Sequence, residues 1–193
     1  MKRLVLFSVF VSLFLGLHAQ ADYNDFVGTW VYARNDTVFK VKLQKGIIKY
    51  GIGDPGECIF GGYSLTVKGV LVEDYIKDIP AVYARTPEHP KLSDAGIYIR
   101  AYNSRYYPNL LGFLFFDMKK KHLFGEGLLA NVMTLLAPGK MHWKLNEKES
   151  LWYALEGEYV DDELNKEEER RREEARKLRG FSVPDDVIMI KEE

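Results

Sequence analysis

Cysteine is almost absent from this sequence of 193 residues, in which Cys58 is the only one. A single cysteine excludes an intrachain disulfide, and it also excludes zinc sites that are built from pairs of cysteines. Cys58 stands at the entry to an apolar stretch, with no histidine or aspartate beside it that would activate a thiol. We therefore expect a small buried side chain here and not a reactive nucleophile.

An excess of charge of one sign is also missing. The chain carries 27 basic and 28 acidic residues, a net charge of −1. Removal of Lys2 and Arg3 with the amino-terminal segment discussed below leaves 25 basic against 28 acidic residues, or −3. A mildly acidic domain is poorly suited to nucleic acids or to anionic membrane surfaces, because both attract basic patches. We therefore expect no nucleic-acid partner.

Motifs for metals, cofactors and catalysis are lacking too. His89, His122 and His142 have no second ligand at metal-binding spacing, and no nucleophile elbow or phosphate-binding glycine loop is present. Asp117 and Glu126 can approach each other across a hairpin, but such pairs are more often surface charges than an acid–base couple. The sequence therefore predicts no metal, no cofactor and no enzymatic activity.

Long apolar runs are limited to one, from Leu4 to Leu17, which follows the basic residues Lys2 and Arg3. At about 14 residues it is shorter than the roughly 20 that a transmembrane helix needs. Ala19 and Ala21 then supply the small residues of a cleavage site. We predict a secretory signal peptide over residues 1–21, cleaved after Ala19 or Ala21. A periplasmic or secreted domain over 22–193 would follow, with no membrane span after cleavage.

Alternating patterns dominate what is present, and they predict β-strands. In the segment 37–43, Phe39, Val41 and Leu43 share one face, and similar patterns recur later in the chain. Gln44-Lys45-Gly46 predicts a hairpin turn, and residues 151–155 would complete a final hairpin. The segment 110–118 is apolar on both faces, which is typical of a strand that is covered on both sides or lines a cavity.

The pattern changes near the carboxyl end. Residues 161–179 contain no proline or glycine and carry Glu-to-Arg or Glu-to-Lys pairs four residues apart, which predicts a solvated α-helix that Gly180 caps. A short strand within 181–190 would follow. The predicted fold class is mainly β: an eight-stranded antiparallel up-and-down barrel with a C-terminal α-helix and a short final strand.

Gly28-Thr29-Trp30, at the start of the first strand, resembles the G-x-W motif of the lipocalins and their calycin relatives. The chain is also similar to uncharacterised exported bacterial lipocalin-like proteins. The resemblance implies that Gly28 and Trp30 are structural, and that the tryptophan closes one end of the barrel against an arginine near the last strand. No arginine lies between Tyr107 and Arg170, so that partner is missing or replaced, and the family's T-D-Y motif is absent.

Barrels of this size are wide enough to hold one small ligand. We expect a small hydrophobic or aromatic molecule to bind in the barrel mouth, at Tyr98, Tyr102, Phe113, Phe115 and Trp143. The alternative is that these aromatic residues fill the barrel. The protein would then be an interaction or inhibitor module of the cell envelope, using residues 71–95 and 106–108. An enzyme of unfamiliar design would instead show buried carboxylates or histidines gathered in the mouth.

Overall fold

The structure, a computed structural model, describes residues 22–49, 55–89, 91–103, 107, 109–120, 128–146 and 180–192. The predicted signal peptide, the predicted helix 161–179 and the predicted strand 151–155 lie outside these residues. No helix in the described ranges is long and apolar enough to cross a lipid bilayer.

One short helix and ten strands make up the described chain, together with a turn of 3-10 helix at Ser93–Ala95. In chain order they are α1 (Tyr23–Phe26), β1 (Gly28–Arg34), β2 (Thr37–Lys49), β3 (Gly56–Val67), β4 (Val70–Asp74), β5 (Val82–Ala84), β6 (Ile99–Asn103), β7 (Leu110–Phe115), β8 (Leu128–Ala137), β9 (Lys140–Lys144) and β10 (Asp186–Lys191). Eight of these strands pair in the order β1-β2-β3-β6-β7-β8-β9-β10 and close into an antiparallel barrel. The predicted up-and-down barrel is thus confirmed. β4 and β5 lie outside it, paired with the ends of β3 and β2.

The barrel is closed by β10, which pairs with β9 on one side and with β1 on the other. The predicted final strand is confirmed, but its predicted role as an addition to an already complete barrel is wrong. β10 is itself the eighth barrel strand and occupies the position beside β9 that was predicted for residues 151–155. Met189 points inward and is fully buried, and closure gives each described barrel strand a paired neighbour on both sides.

The predicted hairpin turn at Gln44-Lys45-Gly46 is also wrong, because β2 runs through these residues without a break. Gly46 pairs with Cys58 inside the β2–β3 ladder, two pairs before its end at Ile48 and Gly56. The ring of Phe60 packs directly on Gly46, where any Cβ atom would overlap it. The glycine therefore marks the close approach of an aromatic ring within a strand and not a turn.

Two apolar clusters lie on opposite faces of β3. Inside the barrel, Phe39, Val41 and Leu43 are buried together, as their alternation predicted. On the outer face, the chain between β4 and β6 covers β2 and β3. The buried residues of this outer cluster are Ile48, Cys58, Phe60, Tyr83, Leu92, Ile97 and Phe116. This second cluster explains why β3 and the segment 110–118 are apolar on both faces. It also confirms that Cys58 is buried, and burial raises the pKa of its thiol.

Candidate ligand-binding site

One end of the barrel, the helix end, is closed by α1 and Trp30. The Trp30 ring is fully buried, and its Nε1 donates a hydrogen bond to the Phe26 carbonyl oxygen at 2.7 Å. The Nζ atom of Lys191 lies 5.5 Å from the centroid of the Trp30 ring, close enough for a cation–π interaction. Lys191 is the last residue of β10, so a lysine on the closing strand covers this tryptophan.

Gly28 makes the contact between Lys191 and Trp30 possible. Its φ angle is +131°, a conformation that side chains rarely adopt, and a Cβ atom would lie 2.7 Å from the Lys191 Cε. The alkyl chain of Lys191 therefore passes over the bare backbone of Gly28 on its way to the tryptophan. Gly28 and Trp30 are therefore both part of the contact with Lys191 that covers the helix end.

Three of the five predicted ligand-binding residues meet in the middle of the barrel. Phe113, Phe115 and Trp143 are fully buried, and the Trp143 ring lies 4.5 Å from Phe113 and 5.6 Å from Phe115, centroid to centroid. The indole Nε1 of Trp143 donates to the Pro184 carbonyl oxygen at 3.1 Å. These rings pack against one another, so they form the floor of any site above them.

Tyr102, the fourth predicted ligand-binding residue, lies apart from these three aromatic residues. Along β6 the residues Ile99 and Ala101 point into the barrel, so Tyr102 points outward. Its side chain is 42% exposed, and its ring lies beside Gly112, where a Cβ atom would be 2.9 Å from the ring. Tyr102 therefore belongs to the outer surface.

The fifth predicted residue, Tyr98, lies at the opposite end from α1, which we call the aromatic end. It is formed by the rings of Tyr63, Tyr75, Tyr98, Phe115 and Phe181. Successive rings contact each other: the centroid distance is 5.2 Å from Tyr63 to Tyr75 and also to Phe115, and 4.8 Å from Tyr75 to Tyr98. These residues meet because β6 begins, β7 ends and β10 begins at the same end of an antiparallel barrel.

Two buried carboxylates accompany the aromatic end. The Tyr63 hydroxyl donates to Glu73 Oε2 and accepts from the Met118 amide, both at 3.0 Å. Asp117, 2% exposed, accepts hydrogen bonds from the Ser182 amide at 2.7 Å, the Ser182 hydroxyl at 2.8 Å and the Lys120 amide at 2.9 Å. Glu73 is 6% exposed, and its Oε1 is buried with no hydrogen-bond partner in the described ranges.

The two carboxylates act on the neighbouring tyrosines. Burial raises the pKa of Tyr63 far above its usual range; Glu73 and Asp117 raise it further, against the opposing hydrogen bond from Met118. The pKa of Tyr75 is raised by burial first and then by Glu73, Tyr98 and Asp117. Burial also raises the pKa of Tyr98. The hydroxyl groups are therefore neutral at physiological pH and lie next to two carboxyl groups.

Sequence reasoning missed Tyr63, Glu73, Tyr75 and Asp117. Asp117 was interpreted as a surface charge paired with Glu126, which lies outside the described residues. Glu73 and Tyr75 fall within residues 71–95, for which the sequence predicted only a surface for a partner protein. The available signal was the alternation of β4, which pairs Glu73 with Leu65 on the inward face of β3. No group of three or more His, Cys, Asp or Glu side chains in the described ranges is arranged to hold a metal ion.

A groove of about 420 Å³ lies at the helix end, between α1 and the turn that joins β8 to β9. Its lining residues are Asn24, Asp25, Leu135, Leu136, Ala137, Pro138, Gly139 and Lys191. Lys191 is already engaged with Trp30, and the Asn24 side chain donates to Asp22. The aromatic end, with its buried carboxylate oxygen and several hydroxyl groups, offers more specific chemistry and is the candidate site.

The architecture defines the class: a closed eight-stranded antiparallel barrel with two additional strands, compatible with a calycin-like fold. The chain belongs to DUF6705, a family of unknown function that matches it over residues 1–192. Comparisons with curated proteins and with solved structures found no match.

Proposed function

We propose that this chain is an exported lipocalin-like protein that binds a small hydrophobic or aromatic molecule at the aromatic end of its barrel. The observation that carries the proposal is the cluster of tyrosine and phenylalanine rings there, of which Tyr75 and Tyr98 are only partly buried. Partly exposed rings beside buried polar groups are the usual composition of a small-molecule site. Export rests on the amino-terminal pattern of residues 1–21.

The site that we propose differs from the predicted one. Tyr98 and Phe115 stay in it, and Tyr63 and Tyr75 join them. Phe113 and Trp143 lie one ring further from the tyrosines, packed against each other beneath Phe115, which itself contacts Tyr63. Tyr102 is left out because it lies on the outer face.

A neutral fluorescent probe, N-phenyl-1-naphthylamine, tests the site directly. Tyr98→Ala removes one wall of the cluster, so we expect the probe to bind at least about tenfold more weakly, the effect of losing one aromatic contact. Tyr102→Ala, four residues away and on the outer face, is the matched control and should bind like the unmodified protein. Equal effects of the two substitutions, or no binding of the probe at all, would contradict the proposal.

Mass spectrometry of the protein recovered from the cells that make it tests export and occupancy together. Under denaturing conditions we expect the mass of a chain that begins at Gln20 or Asp22, the residues that cleavage after Ala19 or Ala21 exposes. Under native conditions we expect an additional mass from a retained small molecule. An intact amino terminus beginning at Met1 would contradict export.

A second function, docking of a partner protein, is favoured by β4. This strand pairs only with β3 in the described ranges, and Val70, Leu71 and Val72 are 64%, 56% and 42% exposed. An exposed apolar edge strand is a surface that another chain can extend. The remainder of the segment 71–95 is less suited, because Tyr83 and Leu92 are buried on Phe60.

The docking function is tested at β4 alone, since replacement of the whole segment would uncover the outer apolar cluster. If a partner binds by extending the sheet, Leu71→Lys should abolish its recovery in an affinity pull-down. The control is Ile190→Lys, which places the same charge on an exposed position of β10. Recovery of the same partner by both variants would exclude β4 as the docking strand.

A further inference from the structure

We propose that the molecule bound at the aromatic end carries a positively charged nitrogen, such as a protonated amine, which pairs with Glu73. This inference rests on the proposed function and adds the chemical class of the ligand. It is drawn from the polar atoms of the site, from their charge and from the arrangement of the rings around them.

The two buried carboxylates differ in how well they are satisfied. Both oxygens of Asp117 accept hydrogen bonds, from Ser182 and from the Lys120 amide, so Asp117 is occupied in holding the chain together. Glu73 has only one of its oxygens engaged, by the Tyr63 hydroxyl. Its Oε1 is buried and has no partner within the described part of the chain. A buried acceptor left unpaired costs free energy, and a ligand that donates to it removes that cost.

The charge of the site favours a cationic donor over a neutral one. Neither Glu73 nor Asp117 forms an ion pair with a lysine, arginine or histidine of the described residues. Both carboxylates face the same group of hydroxyls, since each of them raises the pKa of Tyr63 and of Tyr75. Buried negative charge without a counter-ion is unfavourable, and a cation in the site provides one.

The rings supply the second element that an organic cation needs. Tyr75 continues the chain two residues after Glu73, and the planes of Tyr63 and Tyr75 are inclined at 57° to each other. The plane of Tyr98 is inclined at 41° to that of Tyr75. Electron-rich ring faces set around a carboxylate are the usual surroundings of bound ammonium groups. The apolar part of the ligand would then rest on Phe115.

Two probes of matched shape test the charge. The first is a dansyl fluorophore with a five-carbon chain that ends in a primary ammonium group, and the second is the same fluorophore with an uncharged pentyl chain. We expect the ammonium probe to bind the unmodified protein at least about tenfold more tightly, the effect of one charged hydrogen bond. The measurement on the unmodified protein does not depend on how well any variant folds.

The substitution Glu73→Gln tests whether Glu73 causes the preference for the ammonium probe. The glutamine keeps the shape of the side chain and an oxygen to accept from Tyr63, but it has no negative charge. We expect the variant to lose the preference for the ammonium probe and to bind the uncharged probe as before. Asp74→Asn is the matched control, because Asp74 is the next residue, exposed and paired with Lys77. It should leave both affinities unchanged.

The outcomes separate this inference from the function on which it rests. If neither probe binds, and N-phenyl-1-naphthylamine does not bind either, the proposed function fails and this inference fails with it. If both dansyl probes bind equally to the unmodified protein, the binding function stands and the inference of a cationic ligand is overturned. It is also overturned if Glu73→Gln keeps the full preference for the ammonium probe.

Discussion

At the scale of single residues, the most instructive group is Gly28, Trp30 and Lys191 at the helix end. The buried Trp30 ring closes the barrel, and its indole N–H needs an acceptor, which the Phe26 carbonyl provides. Lys191 then covers the ring, and Gly28 leaves room for it to do so. A short motif at the start of the chain thus depends on a residue near its end.

Gly28→Ala should destabilise the protein by about 1–3 kcal/mol, because alanine is strained at a φ of +131° and its Cβ meets Lys191. The free energy of unfolding in urea measures the loss. Lys191→Ala in the same chain removes the clash but not the backbone strain, so the double variant should lose less than the two single variants together. Simple additivity would show that the contact with Lys191 has no part in the effect.

At the scale of elements, Asp117 joins two strands that are far apart in the sequence. It follows β7 and accepts hydrogen bonds from both the amide and the hydroxyl of Ser182, which precedes β10. The side chain of Asp117 therefore connects the end of β7 to the start of β10, the strand that closes the barrel. A buried carboxylate with three donors acts here as a structural clamp.

Asp117→Ala should destabilise the protein by about 2–4 kcal/mol, because it leaves three donors without their charged acceptor. Ser182→Ala keeps the amide donor and removes only the hydroxyl, so we expect a smaller loss of about 1 kcal/mol. Thermal or urea unfolding, followed by tryptophan fluorescence, compares the two variants. Equal losses would show that the clamp is not held through the Asp117 carboxylate.

At the scale of the whole molecule, the unusual property is the number of tyrosines whose hydroxyl groups are withdrawn from water. Burial is the first cause of a raised pKa at Tyr23, Tyr63, Tyr75, Tyr83 and Tyr98. They are spread over both ends of the barrel and over the outer cluster. Their ionisation therefore reports on the fold as a whole.

Stability should fall in alkaline solution for this reason. Below the usual tyrosine pKa of 10.0, these hydroxyls are protonated in the folded and the unfolded chain alike. As the pH rises above that value, the unfolded chain ionises while the folded state resists, so the free energy of unfolding falls, by at most ~1.4 kcal/mol per pH unit for each such group. Urea unfolding at a series of pH values measures the slope.

Tyr63→Phe serves as the control for the alkaline prediction. Tyr63 is fully buried, so its removal should make the stability less dependent on pH above 10.0 than it is in the unmodified protein. An identical slope in the variant and in the unmodified protein would contradict the assignment.

The sequence alone predicted a β-rich barrel with up-and-down strand order. It also predicted that Phe39, Val41 and Leu43 share one face and that Cys58 is buried. Side-chain alternation along a strand is a local property with a period of two residues, so it can be recognised without knowing the partners. The same logic failed at Gly46, because the ring that requires a glycine there belongs to Phe60 on the neighbouring strand.

Only the tertiary structure decided which strand closes the barrel and which polar groups meet at its aromatic end. β10 pairs with β1 across most of the chain's length, and Lys191 of β10 covers Trp30 of β1. Tyr63, Glu73, Tyr98 and Asp117 come from four separate segments, and no spacing in the sequence links them. Contacts between residues distant in the chain arise from strand pairing and closure, which local patterns do not encode.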